Sequence, residues 1–113
     1  MELIESIVGA EEGSGVITIV TNLRVIEMFH HQDCCESVEV EDVIGDVQKA
    51  IGAEFLEIIT KSDNNGRNNP KVDDSCTYTF YTLKHSRGYL DIRWFGTSNG
   101  YYSEAVTLLY SDR

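Results

Sequence analysis

Apolar and polar positions alternate with a period of two over much of this chain, the signature of strands that turn one face to a core. Residues 16–21 and 24–30 are β-branched and apolar runs parted by the polar break at Asn22, which predicts a first hairpin. Upstream, residues 3–8 read as an edge strand or a short helix, and 9–15 as a loop. Over 37–43, Val38 and Val40 alternate with Glu39 and Glu41, a strand with one wet face. The period then changes: Val43, Val47 and Ile51, with Ile44 nearby, recur at helical spacing. Asp46 is placed to cap and Gly52 to stop, so one short helix is expected near residues 43–51. Residues 55–61 return to strand composition.

The segment KSDNNGRNNPKVDD at 61–74 is rich in Asn, Asp and Gly and holds the only proline, which predicts a surface loop. Residues 76–84, 89–95 and 101–110 are rich in Tyr, Phe, Thr and Val and are linked by the turns His85-Ser86-Arg87-Gly88 and Gly96-Thr97-Ser98-Asn99-Gly100. They read as a three-stranded meander. Leu90, Ile92 and Trp94 share one face, and Tyr89, Asp91, Arg93 and Phe95 the other. The expected fold is therefore mainly β (α+β): an antiparallel sheet of six or seven strands ending in that meander, with one short helix, in a single domain over 1–113.

Composition supports a folded domain, with 42% hydrophobic and 25% charged residues in 113. No run approaches the roughly 20 apolar residues of a membrane span, and the start MELIESIVGAEE is acidic where a signal peptide is basic. The expected address is the cytoplasm. Three cysteines, two of them adjacent, form a poor disulfide framework, so reduced, buried thiols are expected.

Charge is unevenly spread. Up to residue 60, thirteen Asp and Glu face only Arg24 and Lys49, a balance of −11, while the rest of the chain carries +1. The run that includes Glu36, Glu39, Glu41, Asp42 and Asp46 contains no Lys or Arg and reads as an acidic face. It would repel phosphate backbones, which argues against direct nucleic-acid binding and suits either a basic protein partner or a merely solvated surface.

Two stretches hold candidate chemistry. In His30-His31-Gln32-Asp33-Cys34-Cys35-Glu36 the residue types suit zinc, with His31, Asp33, Cys34 and Cys35 as candidate ligands. Their consecutive spacing does not suit it, since a strand would divide them between two faces and leave the site needing His85 or Glu104. No cofactor is expected, zinc being the one exception the residue types leave open. The competing reading is a tight turn in which Asp33 caps backbone amides and the histidines bond carbonyls. A thiolate nucleophile is disfavoured by the neighbouring acids, whereas His30 or His31 acting with Glu104 and Arg93 would suit a metal-free phosphodiesterase. In the second stretch, Arg93, Trp94, Tyr101, Tyr102 and Glu104 offer either a stacking platform for a nucleotide-like ligand or ordinary packing, with Arg93 and Glu104 paired. There is no GxGxxG or P-loop.

The strings FHHQDCCESV, VEDVIGD and GYLDIRWFGTSNGYYSEAV resemble an uncharacterised family of small bacteriophage and prophage proteins, with a centre like HxQDCCE and an end like IRWxGxSNGYYSE. The matching positions are His31, Gln32, Asp33, Cys34, Cys35 and Glu36, then Arg93, Trp94, Gly96, Ser98, Asn99, Gly100, Tyr101, Tyr102, Ser103 and Glu104. The resemblance spans 16–106 and implies an accessory protein of the bacterial host cytoplasm that binds a host protein or a small nucleotide-like signal, as an anti-defence factor does. The alternatives are a metal- or histidine-dependent hydrolase centred on His30 to Glu36, and a structural protein whose strand edges pair in a homo-oligomer. No membrane partner is expected.

Overall fold

A computed structural model describes residues 1–63, 75–98 and 102–113. The fold is mainly β, as the alternation predicts. Eight strands run in the order β1 (Ile4–Val8), β2 (Val16–Thr21), β3 (Arg24–Phe29), β4 (Ser37–Ile44), β5 (Phe55–Asp63), β6 (Ser75–His85), β7 (Gly88–Ser98) and β8 (Thr107–Asp112), with one helical turn, α1 (Val47–Ala50), between β4 and β5. They form two four-stranded antiparallel sheets, ordered β1-β2-β3-β8 and β4-β7-β6-β5. One sheet of six or seven strands was expected; two facing sheets let every alternating strand bury its apolar side.

The meander lies one strand earlier than the sequence suggested. β5, β6 and β7 follow one another in the second sheet, and the other side of β7 is taken by β4 in the register Val40↔Trp94 and Val43↔Ile92. β8 therefore crosses to the first sheet and pairs with β3, setting Leu108 opposite Met28 and Tyr110 opposite Ile26. Residues 61–63 continue β5, while the rest of the expected 61–74 loop and the turn residues Asn99 and Gly100 lie outside the described residues.

The predicted helix is shorter than its periodicity. Val43 and Ile44 remain in β4, held by their β7 partners, and Gly45 at φ 123° ends the strand. Asp46 then caps the turn, its side chain accepting from the Gln48 amide at 2.9 Å.

One core fills the space between the sheets. Ile4, Ile17, Ile19, Ile26 and Met28 come from the first sheet, and Val40, Tyr81, Leu83, Leu90, Ile92 and Trp94 from the second. The expected face of Leu90, Ile92 and Trp94 is the buried one. At one side the sandwich is stitched by backbone bonds from Ile4 to Ala53 and from Phe55 to Glu2, beside the bridge Leu3↔Glu54. At the other, Ser14 and Gly13 bond both backbone groups of Val40, which covers part of the β4 edge. No helix among the described residues is long and apolar enough to cross a membrane.

Candidate functional site

β3 ends at Phe29 and β4 begins at Ser37, so the stretch from His30 to Glu36 is an irregular connection with no strand alternation to divide its side chains. Glu36 organises it. Its Oε2 accepts the Asp33 amide at 2.9 Å and its Oε1 the Cys34 amide at 2.8 Å. Gln32 Nε2 donates to the Glu36 carbonyl at 2.7 Å, to Oε1 at 3.2 Å and to the Cys34 carbonyl at 3.1 Å. Glu36 is thus the residue that gathers the amides, a role the sequence pointed to at Asp33, whose own side chain is exposed.

His30 closes the arrangement. Its Nε2 lies 2.7 Å from Glu36 Oε2 and its Nδ1 2.7 Å from the Ala105 carbonyl. A neutral imidazole can donate to one of these oxygens; the doubly protonated ring donates to both. Burial by itself raises the Glu36 carboxyl, but the amides of Asp33 and Cys34 and the His30 ring outweigh it and bring the pKa down to about 2. The side chains of His30 and Glu36 are only 3% and 0% exposed, so neither offers an atom to a substrate from solvent.

The neighbours face outward. His31 is exposed and sets its ring edge-on to Phe29 at 4.9 Å. Cys34 and Cys35 are exposed and joined as a vicinal disulfide, where buried free thiols were expected; Cys76 keeps a free thiol. Among the described residues no group of three or more His, Cys, Asp and Glu side chains is placed to hold a metal ion. His85, a proposed helper, sits at the opposite end of β7 beside Gly88, where burial and the Arg87 charge lower its pKa.

The second stretch packs against the first. Gly96 lies inside β7 opposite Val38, without positive φ, so turn geometry is not what it serves. A Cβ there would meet Glu104 Cβ and Val38 Cγ2 at 3.0 Å and the Glu104 carbonyl at 3.2 Å, so the crossing chain can lie on the sheet only over a glycine. Glu104 is buried and accepts from Thr77 Oγ1 at 2.7 Å and from Ser98 Oγ. Tyr102 is half-buried on the same crossing, and Tyr101 lies outside the described residues. The two distant stretches therefore do meet, at His30–Ala105 and at Ser37↔Thr97, as a clasp closing one end of the sandwich.

Arg93 and Trp94 do not join that clasp. Trp94 is wholly inside the core and has no ring face to lend a ligand. Arg93 points to the outer face of the second sheet, where it bonds Glu41 at 2.9 Å and lies 3.9 Å from Asp42; the expected pairing with Glu104 is not made. The acidic run is dispersed in the same way. Glu36 is inside the clasp, Glu41 and Asp42 meet Arg93, Asp46 is exposed but caps α1, and Glu39 stands exposed opposite Phe95.

The outer face of the second sheet holds what sequence reasoning missed. Across it, Ile44 is opposite Asp91, Asp91 opposite Thr82, and Thr82 opposite Ile59; beside that row Tyr89 is opposite Lys84 and Lys84 opposite Glu57. Ile44 is 59% exposed, Leu56 54%, Ile59 44% and Tyr89 61%, four large apolar side chains on one side of a small protein. Leu56 joins them because β5 slips register between Phe55 and Glu57. Along the face Tyr78 packs on Phe95 at 4.9 Å and on Phe80 at 6.3 Å. A depression of about 470 Å³ opens here, lined by Leu56, Thr82, Lys84, His85, Gly88, Tyr89 and Asp91. The alternation over 89–95 did signal Tyr89 and Asp91; nothing in the apolar run 55–61 separates an inward from an outward isoleucine.

Residues 2–108 match the family described as Domain of unknown function (DUF7448). No curated protein and no solved structure matches the chain.

Proposed function

We propose that this chain, which belongs to the DUF7448 family, works by binding a protein partner through the outer face of its second sheet and catalyses no reaction. The observation that carries this reading is the contrast between its two ends of chemistry. The groups best suited to proton transfer, His30 and Glu36, are spent on each other, on backbone amides and on the Ala105 carbonyl, and are covered. Four of the exposed large apolar side chains, Ile44, Leu56, Ile59 and Tyr89, meanwhile share this one face with a polar Thr82–Asp91 pair among them, the mixture of apolar and charged groups that suits a docking surface.

Charge supports one kind of partner. The rim carries Lys84 and Arg93, both already facing acids, and the chain as a whole has a net charge of −10. A basic protein surface with an apolar centre is complementary to it, and a phosphate backbone is not. The resemblance to small phage and prophage proteins supports the setting: a cytoplasmic accessory protein that occupies a component of the bacterial host, as an anti-defence factor does.

Capture from bacterial lysate tests this. Immobilised wild-type protein retains a basic protein at about 50 mM salt and less of it at about 300 mM, because screening weakens a charge-steered complex. The double variant Ile44→Glu, Ile59→Glu, whose substitutions lie on already exposed positions and leave the fold intact, loses at least about tenfold of the captured protein. Equal capture by the variant contradicts the reading.

A further inference from the structure

We infer that the depression at the hairpin end of this face is a socket for the guanidinium group of an arginine carried by the partner protein; the inference rests on the outer face being the docking surface. Asp91 is its centre. One carboxylate oxygen accepts the Thr82 hydroxyl at 2.7 Å, and among the described residues no cation is paired with Asp91 and its second oxygen has no partner. That charge stands in a row with exposed Ile44 and Ile59, where docking would strip its water and leave it in need of a cation.

The surroundings select the kind of cation. Tyr89 lies two residues from Asp91 on the same face of β7, and its ring is among the most exposed apolar surfaces of the molecule. A planar cation can stack on that ring while its edge reaches the carboxylate, and Leu56 adds apolar lining to the same depression. Guanidinium suits this better than ammonium, being planar, fork-shaped and weakly hydrated. Of the cations nearby, Lys84 lines the depression but has its Nζ 3.4 Å from Glu57, and Arg93 bonds Glu41. At about 470 Å³ the depression falls within the range of about 300–1,000 Å³ that seats whole small ligands, so an arginine and its flanking backbone have room.

The test is a titration of ¹⁵N-labelled protein, followed by amide shifts, with N-acetyl-arginine amide, N-acetyl-lysine amide and adenosine monophosphate as separate probes. The arginine probe gives saturable shifts centred on Thr82, Tyr89 and Asp91 with a Kd on the order of 1 mM, and the lysine probe binds about tenfold more weakly. Asp91→Asn and Tyr89→Ala each lower the arginine affinity by about tenfold while the rest of the spectrum stays that of the folded protein. No saturable shift, equal response to lysine, or tighter binding of the nucleotide overturns the socket. If the socket fails in this way while Ile44→Glu, Ile59→Glu still abolishes capture, the docking face stands without it; if capture survives that double variant, the face itself is refuted.

Discussion

Replacing Trp94 by alanine lowers stability by about 3–5 kcal/mol in equilibrium urea unfolding at neutral pH. The residue is the largest of the fully buried side chains and is surrounded by both sheets, so truncation removes its burial and leaves a void that neither sheet can close. Against the roughly 5–15 kcal/mol of a typical domain this is a large fraction, and the variant is expected to be partly unfolded at room temperature. Trp94→Phe costs much less, for a second reason besides size. The indole Nε1 is buried without a hydrogen-bond partner among the described residues, so a phenyl ring in its place removes an unsatisfied donor along with the lost volume. A Trp94→Ala loss below about 1 kcal/mol would mean that the ring is at the surface after all, available to a ligand.

The second large effect concerns acid. Glu36 titrates in the unfolded chain near its ordinary value of 4.5 and in the folded protein at about 2. Above pH 4.5 both states are ionised and the clasp contributes fully; as pH falls from 4.5 towards 2, the unfolded state takes the proton first and the contribution is lost. Thermal unfolding of the wild type should therefore show a melting temperature that falls steeply across that window. Glu36→Gln makes the folded protein less stable at neutral pH, because an amide nitrogen now faces groups that themselves donate, and it flattens the slope between pH 4.5 and 2. Parallel acid curves for the two proteins would show that the carboxylate does not hold the loop.

Both effects bear on the same question, which is why two residue-rich stretches read so readily as a catalytic centre. Their composition was legible: His, Asp, Cys and Glu in one place and Arg, Trp, Tyr and Glu in the other. The two stretches meet at His30–Ala105, but without Arg93, which faces Glu41, or Trp94, which lies in the core. What a sequence cannot display is which side chains the approach consumes. Glu36 turns back on the amides of Asp33 and Cys34 only because β3 has ended at Phe29 and the connection is free to wrap around it. Once wrapped, the clasp is a sealed structural unit.

The same limit applied to the fold. Strand positions followed from alternation, since period two survives whichever sheet a strand joins. Partnership did not, because the sequence of β8 is equally apt for β7 or for β3, and only the prior occupation of β7 by β4 decides it. The helical spacing of Val43, Val47 and Ile51 misled for a related reason: cross-strand partners on β7 outweigh local periodicity in a segment this short. Ile44 consequently ends on the outer face, where it becomes part of the surface to which we assign function.

Hydroxyl-radical footprinting of the protein, alone and in complex with a protein retained from bacterial lysate, reads that assignment directly from side-chain oxidation. The account predicts protection of Ile44, Leu56, Ile59 and Tyr89, with Phe29, His31 and the Cys34–Cys35 pair oxidised equally in both states. Protection of the His31 and Cys34–Cys35 side of the molecule, with the outer face of the second sheet unchanged, would contradict it.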